Sequence, residues 1–223
     1  MRLFLMKDAL AESIFIYKEL LNSRQQEKID IFLEEINSKQ EKYDTEILWI
    51  IDQEIGGIGG YCMPSDPIQN QFPEGINREL FRPLQYVRSE IDICDIRLQP
   101  RHVIHFSGMH LEAVLRMFLE NKNKLEILKR NRMTLGKAAY KIKKMNVIDE
   151  VTIEALFNFI KLFNMAKHEI NINEDRLRLF SYSDAIICYI CARIIGQEIL
   201  ANLRYPLSLM YYERDVSVQV TII

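Results

Sequence analysis

The sequence is poor in residues that break or cross-link a chain: 8 glycines, 6 prolines and 4 cysteines occur among its 223 residues. Four cysteines are too few for a disulfide-rich mini-protein, and so few glycines exclude a collagen. No stretch approaches the ~20 apolar residues of a membrane-spanning helix, and the apolar run at the N-terminus is too short for a secretory signal. We therefore expect a cytoplasmic protein without a membrane partner.

The scarcity of turn residues also favours long helices over strands, because a sheet needs a turn for every few residues of strand. With 48% hydrophobic and 27% charged residues, the chain has the balance of a globular protein with a packed core. We expect an all-α fold in three parts. An N-terminal helical layer with a Gly/Pro-rich loop covers 1–75, a helix bundle covers 76–206, and 207–223 form a C-terminal strand or hairpin.

Apolar periodicity and capping residues predict the individual elements. Pro100 is placed to open a helix that runs to about Leu119, and Thr134 to cap a later helix. Nearly all residues from Ala185 to Leu203 are apolar, so this segment should be the most buried helix. The other predicted elements are a helical stretch from Arg24 to Ile55, a helix over 125–131, a helix from Asp149 to about Ile170, a capping box at Ser181 and Asp184, and a strand from Val216 to Ile222.

The net charge of -2 gives no global attraction to nucleic acid, but the charges are unevenly distributed. Nine acidic residues face three lysines over 27–54, whereas nine basic residues face one glutamate over 121–146. The basic segment can bind phosphates, or it can lie against the acidic one in the same or a neighbouring subunit. The candidate nucleic-acid-binding residues in it are Lys122, Lys129, Arg130, Arg132, Lys137, Lys141 and Lys144.

The cysteines and histidines do not form a recognisable metal site. Cys188 and Cys191 lie in an apolar helical run and are expected to be buried thiols. His102, His105 and His110 follow a helical spacing that prevents all three from converging on one ion, so packing or hydrogen-bonding roles are favoured. We expect no metal and no cofactor.

A polar stripe is more informative for function. Lys161, Asn164 and His168 follow steps of three and four residues, which places them on one side of a helix. Any solvent-facing helix side has this appearance. However, a histidine beside an amide and the ammonium groups of Lys161 and Lys167 also has the chemistry to transfer a proton and neutralise a phosphate.

Three segments together resemble the HEPN superfamily of helical domains. They are the Asn-x-x-Lys-His core at 164–168, the preceding Leu-Gly-Lys helix at 135–137, and the following apolar helix that opens with Ser-Asp at 183–184. The resemblance implies a small antiparallel helix bundle, often dimeric. Many members are metal-independent ribonucleases in prokaryotic toxin–antitoxin and phage-defence systems, and others bind RNA, nucleotides or protein partners without catalysis.

The family motif is an arginine followed, after four to six residues, by a histidine at the dimer interface. His168 matches the histidine, and Asn164 matches the polar residue often found after the arginine. The arginine position holds Lys161, which keeps the charge but loses the bidentate phosphate contact. The resemblance therefore implies two alternatives. The protein is an RNA-directed homodimer, with His168 as acid or base and Lys161 or Lys167 stabilising charge, or it is a non-enzymatic interaction protein that binds itself, an antitoxin or a defence subunit.

Overall fold

The computed structural model describes residues 21–38, 44–55, 76–124, 132–168 and 180–203. Within these ranges the chain is all-α, as predicted, and contains no strand. The described residues form seven helices: α1 (Ser23–Ser38), α2 (Glu46–Ile55), α3 (Ile76–Asp92), α4 (Pro100–Asn121), α5 (Leu135–Met145), α6 (Glu150–Lys167) and α7 (Tyr182–Ala201). The predicted loop over 56–75, helix over 125–131 and strand over 216–222 lie outside the described residues.

Helix α4 lies at the centre of the packing and contacts α3, α5, α6 and α7. It begins at Pro100, as predicted, because a proline in the first turn lacks only an N–H that would have no helical partner there. Gly108 allows α6 to approach closely. A Cβ atom at this position would lie 2.3 Å from ring carbons of Phe163. The N-terminal half of α4 is therefore held directly against the C-terminal half of α6.

Helix α7 is the most buried of the helices that the structure describes, which confirms the prediction from its apolar residues. All thirteen residues from Asp184 to Gly196 are buried. The predicted capping box is also present. The Ser181 hydroxyl oxygen accepts the Asp184 N–H at 3.1 Å, and the Asp184 carboxylate accepts the Ser181 N–H at 2.9 Å. This box satisfies N–H groups at the start of a helix that has little access to water.

The two cysteines of α7 are free, buried thiols, as predicted. Burial raises the pKa of both Cys188 and Cys191, because a thiolate loses its hydration there. They pack as small apolar side chains. Among the described helices, none combines the length and apolar character needed to cross a membrane.

The prediction of a single helical stretch from Arg24 to Ile55 is wrong, because α1 and α2 are separate helices. The Asp44 carboxylate accepts the Glu46 N–H at 2.9 Å, and the Thr45 hydroxyl donates to Asp92 at 2.7 Å. These side chains start α2 and tie its first turn to the end of α3. Apolar periodicity continues through both helices and does not reveal the break.

The start of α5 also differs from the prediction. Thr134 occupies the N-cap position, but its side chain makes no capping hydrogen bond. Glu112 of α4 instead accepts the Leu135 N–H at 2.8 Å. Asp149, by contrast, caps α6 as predicted and accepts the Thr152 N–H at 2.8 Å. A local sequence pattern does not reveal this contact, because Glu112 lies 23 residues before Leu135 in the chain.

Three polar side chains lie deep in the core between α2, α4 and α7. Arg193 of α7 donates from Nε to the carboxylate of Asp52 in α2, and both side chains are almost fully buried. His110 of α4 donates from Nδ1 to the carbonyl oxygen of Leu80 at 2.9 Å. Burial, and then the charge of Arg193, lower the pKa of His110 to about 3. His110 is therefore a neutral core residue, in agreement with the hydrogen-bonding role expected for it.

Candidate functional site

The four candidate catalytic residues lie together at the exposed end of α6. Lys161, Asn164, Lys167 and His168 are all solvent-exposed. The opposite side of the helix is buried and carries Leu156, Phe159, Ile160 and Phe163. The amphipathic pattern of α6 therefore orients these polar groups outward and makes the predicted stripe accessible.

His168 lies at the end of α6 and not inside a longer helix, as the predicted end near Ile170 would have required. The helix ends at Lys167, and the His168 N–H donates to the Asn164 carbonyl oxygen at 3.0 Å. This position places the imidazole beside the last turn, where helix carbonyl groups lack N–H partners within the helix.

Arg101 explains where α6 ends and adds a cation that the sequence analysis missed. Its Nε and Nη2 atoms donate to the Ala166 carbonyl oxygen at 3.1 and 2.9 Å. In a longer helix this carbonyl would accept the N–H of residue 170. The guanidinium group thus contacts the last turn of α6, just before Lys167 and His168 in the chain. Arg101 follows Pro100 at the start of α4, and nothing in its local sequence reveals this contact.

The exposed histidines of α4 flank the same end of the molecule. The His105 ring lies 5.5 Å from the Phe163 ring. Burial lowers the pKa of His105, and the charges of Lys167, His102 and Arg101 lower it further. The Nδ1 atom of His102 is 3.4 Å from the Glu90 carboxylate. Since His110 is in the core, the three histidines do not share a site. Within the described ranges no three His, Cys, Asp or Glu side chains group as metal ligands.

Three of the candidate nucleic-acid-binding residues form an exposed basic side on α5, and two others lie just outside that helix. Lys137, Lys141, Lys144 and Arg132 are exposed, and Lys141 donates to the Lys124 carbonyl oxygen at 3.4 Å. Lys122 is half-buried, with its ammonium group 5.3 Å from the centre of the Phe118 ring. Lys129 and Arg130 lie outside the described residues. None of the described members of this set forms an ion pair with a carboxylate in the part of the chain that the structure covers.

This pattern bears on the alternative that the basic segment is neutralised by the acidic one within the same chain. One ion pair of the acidic segment joins Lys28 of α1 to Glu54 of α2 at 2.6 Å. It lies within the N-terminal layer and leaves the basic side of α5 uncovered. The other alternative, that carboxylates of a neighbouring subunit neutralise the basic segment, is still a prediction.

The last two turns of α6 therefore carry a solvent-accessible imidazole, an amide and two ammonium groups. The start of α4 adds the guanidinium group of Arg101. Such a set can bind a phosphate through charge-assisted hydrogen bonds, and its imidazole can accept or donate a proton. No family model, curated protein or solved structure matches this chain.

Proposed function

We propose that this protein is a cytoplasmic, HEPN-like, RNA-directed protein of the prokaryotic stress or defence type, acting as a homodimer or with a protein partner. The proposal is based on one observation. His168, Asn164 and Lys161 form an exposed stripe on α6, with Lys167 and Arg101 beside its end. These groups supply positive charge, hydrogen-bond donors and a titratable imidazole, which are the groups that phosphodiester recognition needs.

Local charge supports an anionic ligand. The whole chain carries a net charge of -2, so binding has to come from a concentrated patch. Lysines 137, 141, 143 and 144 lie on α5 without an acidic residue in that helix. Each phosphate that such a patch neutralises releases counterions, which makes binding favourable and strongly salt-dependent.

The same arrangement suits metal-independent cleavage. In this step His168 takes the proton from a 2′-hydroxyl, whose oxygen attacks the adjacent phosphorus. The new bond forms between O2′ and phosphorus, the bond from phosphorus to the 5′-oxygen breaks, and the leaving oxygen receives a proton from the imidazolium. Lys161 or Lys167 stabilises the added negative charge, and Asn164 orients the phosphate or the imidazole.

The test uses the full chain and a mixed RNA pool in the presence of EDTA. The parent protein should cleave RNA under these conditions, and His168→Ala should reduce the rate by about 10²–10⁴-fold. Lys161→Arg should preserve or increase cleavage, because guanidinium adds the bidentate phosphate contact, and Lys161→Ala should weaken it.

His102→Ala serves as a matched control, since it removes another exposed histidine at the same end of the molecule but off the α6 stripe. It should cleave as the parent does. Cleavage that depends on added metal and is unchanged in His168→Ala would contradict the mechanism. RNA binding without cleavage, in both the parent and Lys161→Arg, would leave an RNA-binding protein.

A second function has its own support in the structure. Large apolar side chains are exposed along α3 and α4 and in the turn between them: Ile93 is 82% exposed and Leu98 78%. Tyr86 and Met109 are also exposed, and exposed apolar groups of this kind mark protein contacts. Self-association that Ile93→Lys abolishes, together with no RNA binding by the parent, would favour the non-enzymatic interaction protein.

A further inference from the structure

Helix α5 carries an exposed aromatic ring among its lysines. Leu135, Ala138, Ala139 and Ile142 face the core, whereas Tyr140 is 63% exposed. Lysines 137, 141, 143 and 144 lie within one helical turn of Tyr140. Tyr140 is therefore an aromatic ring that remains mostly in contact with water on the basic side of this helix.

The Tyr140 ring has a fixed support. It packs edge to face against Phe157 of α6, with ring centres 5.2 Å apart and an angle of 77° between the planes. The Lys143 ammonium lies 5.4 Å from the centre of the same Phe157 ring. Phe157 is half-buried, so it anchors both side chains to α6 while most of Tyr140 stays in contact with water.

Phe157 also links Tyr140 to the candidate site. Along α6, Phe157, Lys161, Asn164 and His168 follow steps of four, three and four residues and therefore share one side of the helix. Eleven residues at about 1.5 Å each span about 16 Å. Tyr140 thus stands at one end of a line whose other end is His168. Glu154, one turn before Phe157, is exposed and adds a negative charge beyond the Tyr140 end.

We propose that Tyr140 is a stacking platform for an unpaired nucleobase, and that a single-stranded RNA segment runs from Tyr140 along α6 to His168. This inference rests on the proposed RNA-directed function and names the form of RNA that the site accepts. An exposed aromatic face stacks on bases of any sequence, while flanking lysines bind the phosphates on either side. In a duplex the bases are already stacked on each other and are not available to the ring.

The experiment measures binding of the full chain to fluorescently labelled oligouridine of about 12 nucleotides by anisotropy. Tyr140→Leu keeps an apolar side chain against Phe157 but removes the aromatic face, and should weaken binding about 5- to 100-fold. Tyr140→Phe should bind as the parent does. A phosphate–ribose oligomer of the same length without bases should bind the parent and Tyr140→Leu with equal affinity. That affinity should be weaker than the affinity of the parent for oligouridine.

Two controls keep the result specific. Tyr86→Leu removes an exposed tyrosine from α3 and should not change the affinity, and thermal unfolding of each variant verifies that it is folded. Equal weakening of Tyr140→Leu on oligouridine and on the base-free oligomer, or no weakening on either, would overturn the stacking role. Tighter binding of duplex than of oligouridine by the parent would overturn the single-strand preference. If the parent binds no RNA of any form, the proposed function itself fails.

Discussion

Charged and titratable side chains have different surroundings in two regions of the molecule. One region is the core between α2, α4 and α7, and the other is the exposed surface of α5 and α6. In the core, Arg193 has the Asp52 carboxylate as its partner, and His110 is neutral because burial lowers its pKa. On the surface, Lys137 and Lys161 are exposed and have no carboxylate partner among the described residues. Interior charge is compensated within the chain, whereas surface charge is available to a ligand.

The physical reason is the cost of desolvation. An ion moved out of water loses several kcal/mol of hydration and needs a close partner, so a buried charge without one destabilises the fold. An exposed ammonium group keeps its water and needs none. Exposed lysines therefore add little to stability, and those near Tyr140 and along α6 remain accessible to a ligand.

The largest predicted effect tests the core side of this comparison. Asp52→Asn removes the charge that compensates Arg193, and we expect the free energy of unfolding to fall by about 3–5 kcal/mol. Urea denaturation followed by circular dichroism measures the change. The double variant Asp52→Leu with Arg193→Met should regain most of the loss, because it leaves no buried charge.

Lys28→Met is the matched surface control for that measurement. It breaks the ion pair between Lys28 of α1 and Glu54 of α2. Like the Asp52–Arg193 pair, this pair involves an acidic residue of α2, but it remains in contact with water. Its effect on stability should be much smaller than that of Asp52→Asn. Equal losses in the two variants would show that the Asp52 pair is not desolvated in the way described above.

The second prediction concerns His110 and pH. Its pKa is about 3 in the folded chain against an ordinary value of 6.5, so between these values the unfolded chain binds a proton that the folded chain does not. This group should therefore lower the free energy of unfolding as the pH falls below 6.5, by about 1.4 kcal/mol per pH unit. The loss from this group at pH 5 should reach about 2 kcal/mol relative to neutral pH.

His110→Gln isolates this contribution, because glutamine is polar and of similar size but does not titrate. The difference between the parent and His110→Gln in urea denaturation should shift in favour of the variant as the pH is lowered from 7 to 5. His102→Gln, which changes an exposed histidine, should retain the steep pH dependence of the parent. A parallel pH profile for the parent and His110→Gln would contradict a neutral, buried His110.

Much of the fold was predictable because its determinants are local. Pro100, Asp149 and the pair Ser181 and Asp184 act within one turn of their own helix, and the apolar run of α7 reports its own burial. The break between α1 and α2 was missed because Thr45 bonds to Asp92, a residue 47 positions away. Local patterns contain no information about such partners.

The candidate site shows the same division. The outward stripe of Lys161, Asn164 and His168 follows from helical periodicity alone and is exposed as expected. Arg101 was not predictable, since its contact with the Ala166 carbonyl depends on how α4 meets α6. No role for Tyr140 was predicted from the sequence. Its exposure depends on which side of α5 faces the interior, and that is set by packing against α4 and α6.

The smallest predicted effect is a change in stability at an uncharged position on the surface of α5. Gly136 lies in the first turn of α5, and an added Cβ atom would meet no other atom within 4 Å. Gly136→Ala should therefore raise the free energy of unfolding by about 0.5–1 kcal/mol, because alanine loses less backbone freedom on folding. Gly108→Ala should do the opposite, since its Cβ would collide with the Phe163 ring. Thermal unfolding measures both. If Gly136→Ala is stabilised and binds RNA as the parent does, the lysines and Tyr140 of α5 act through their exposed side chains and not through flexibility of the helix start.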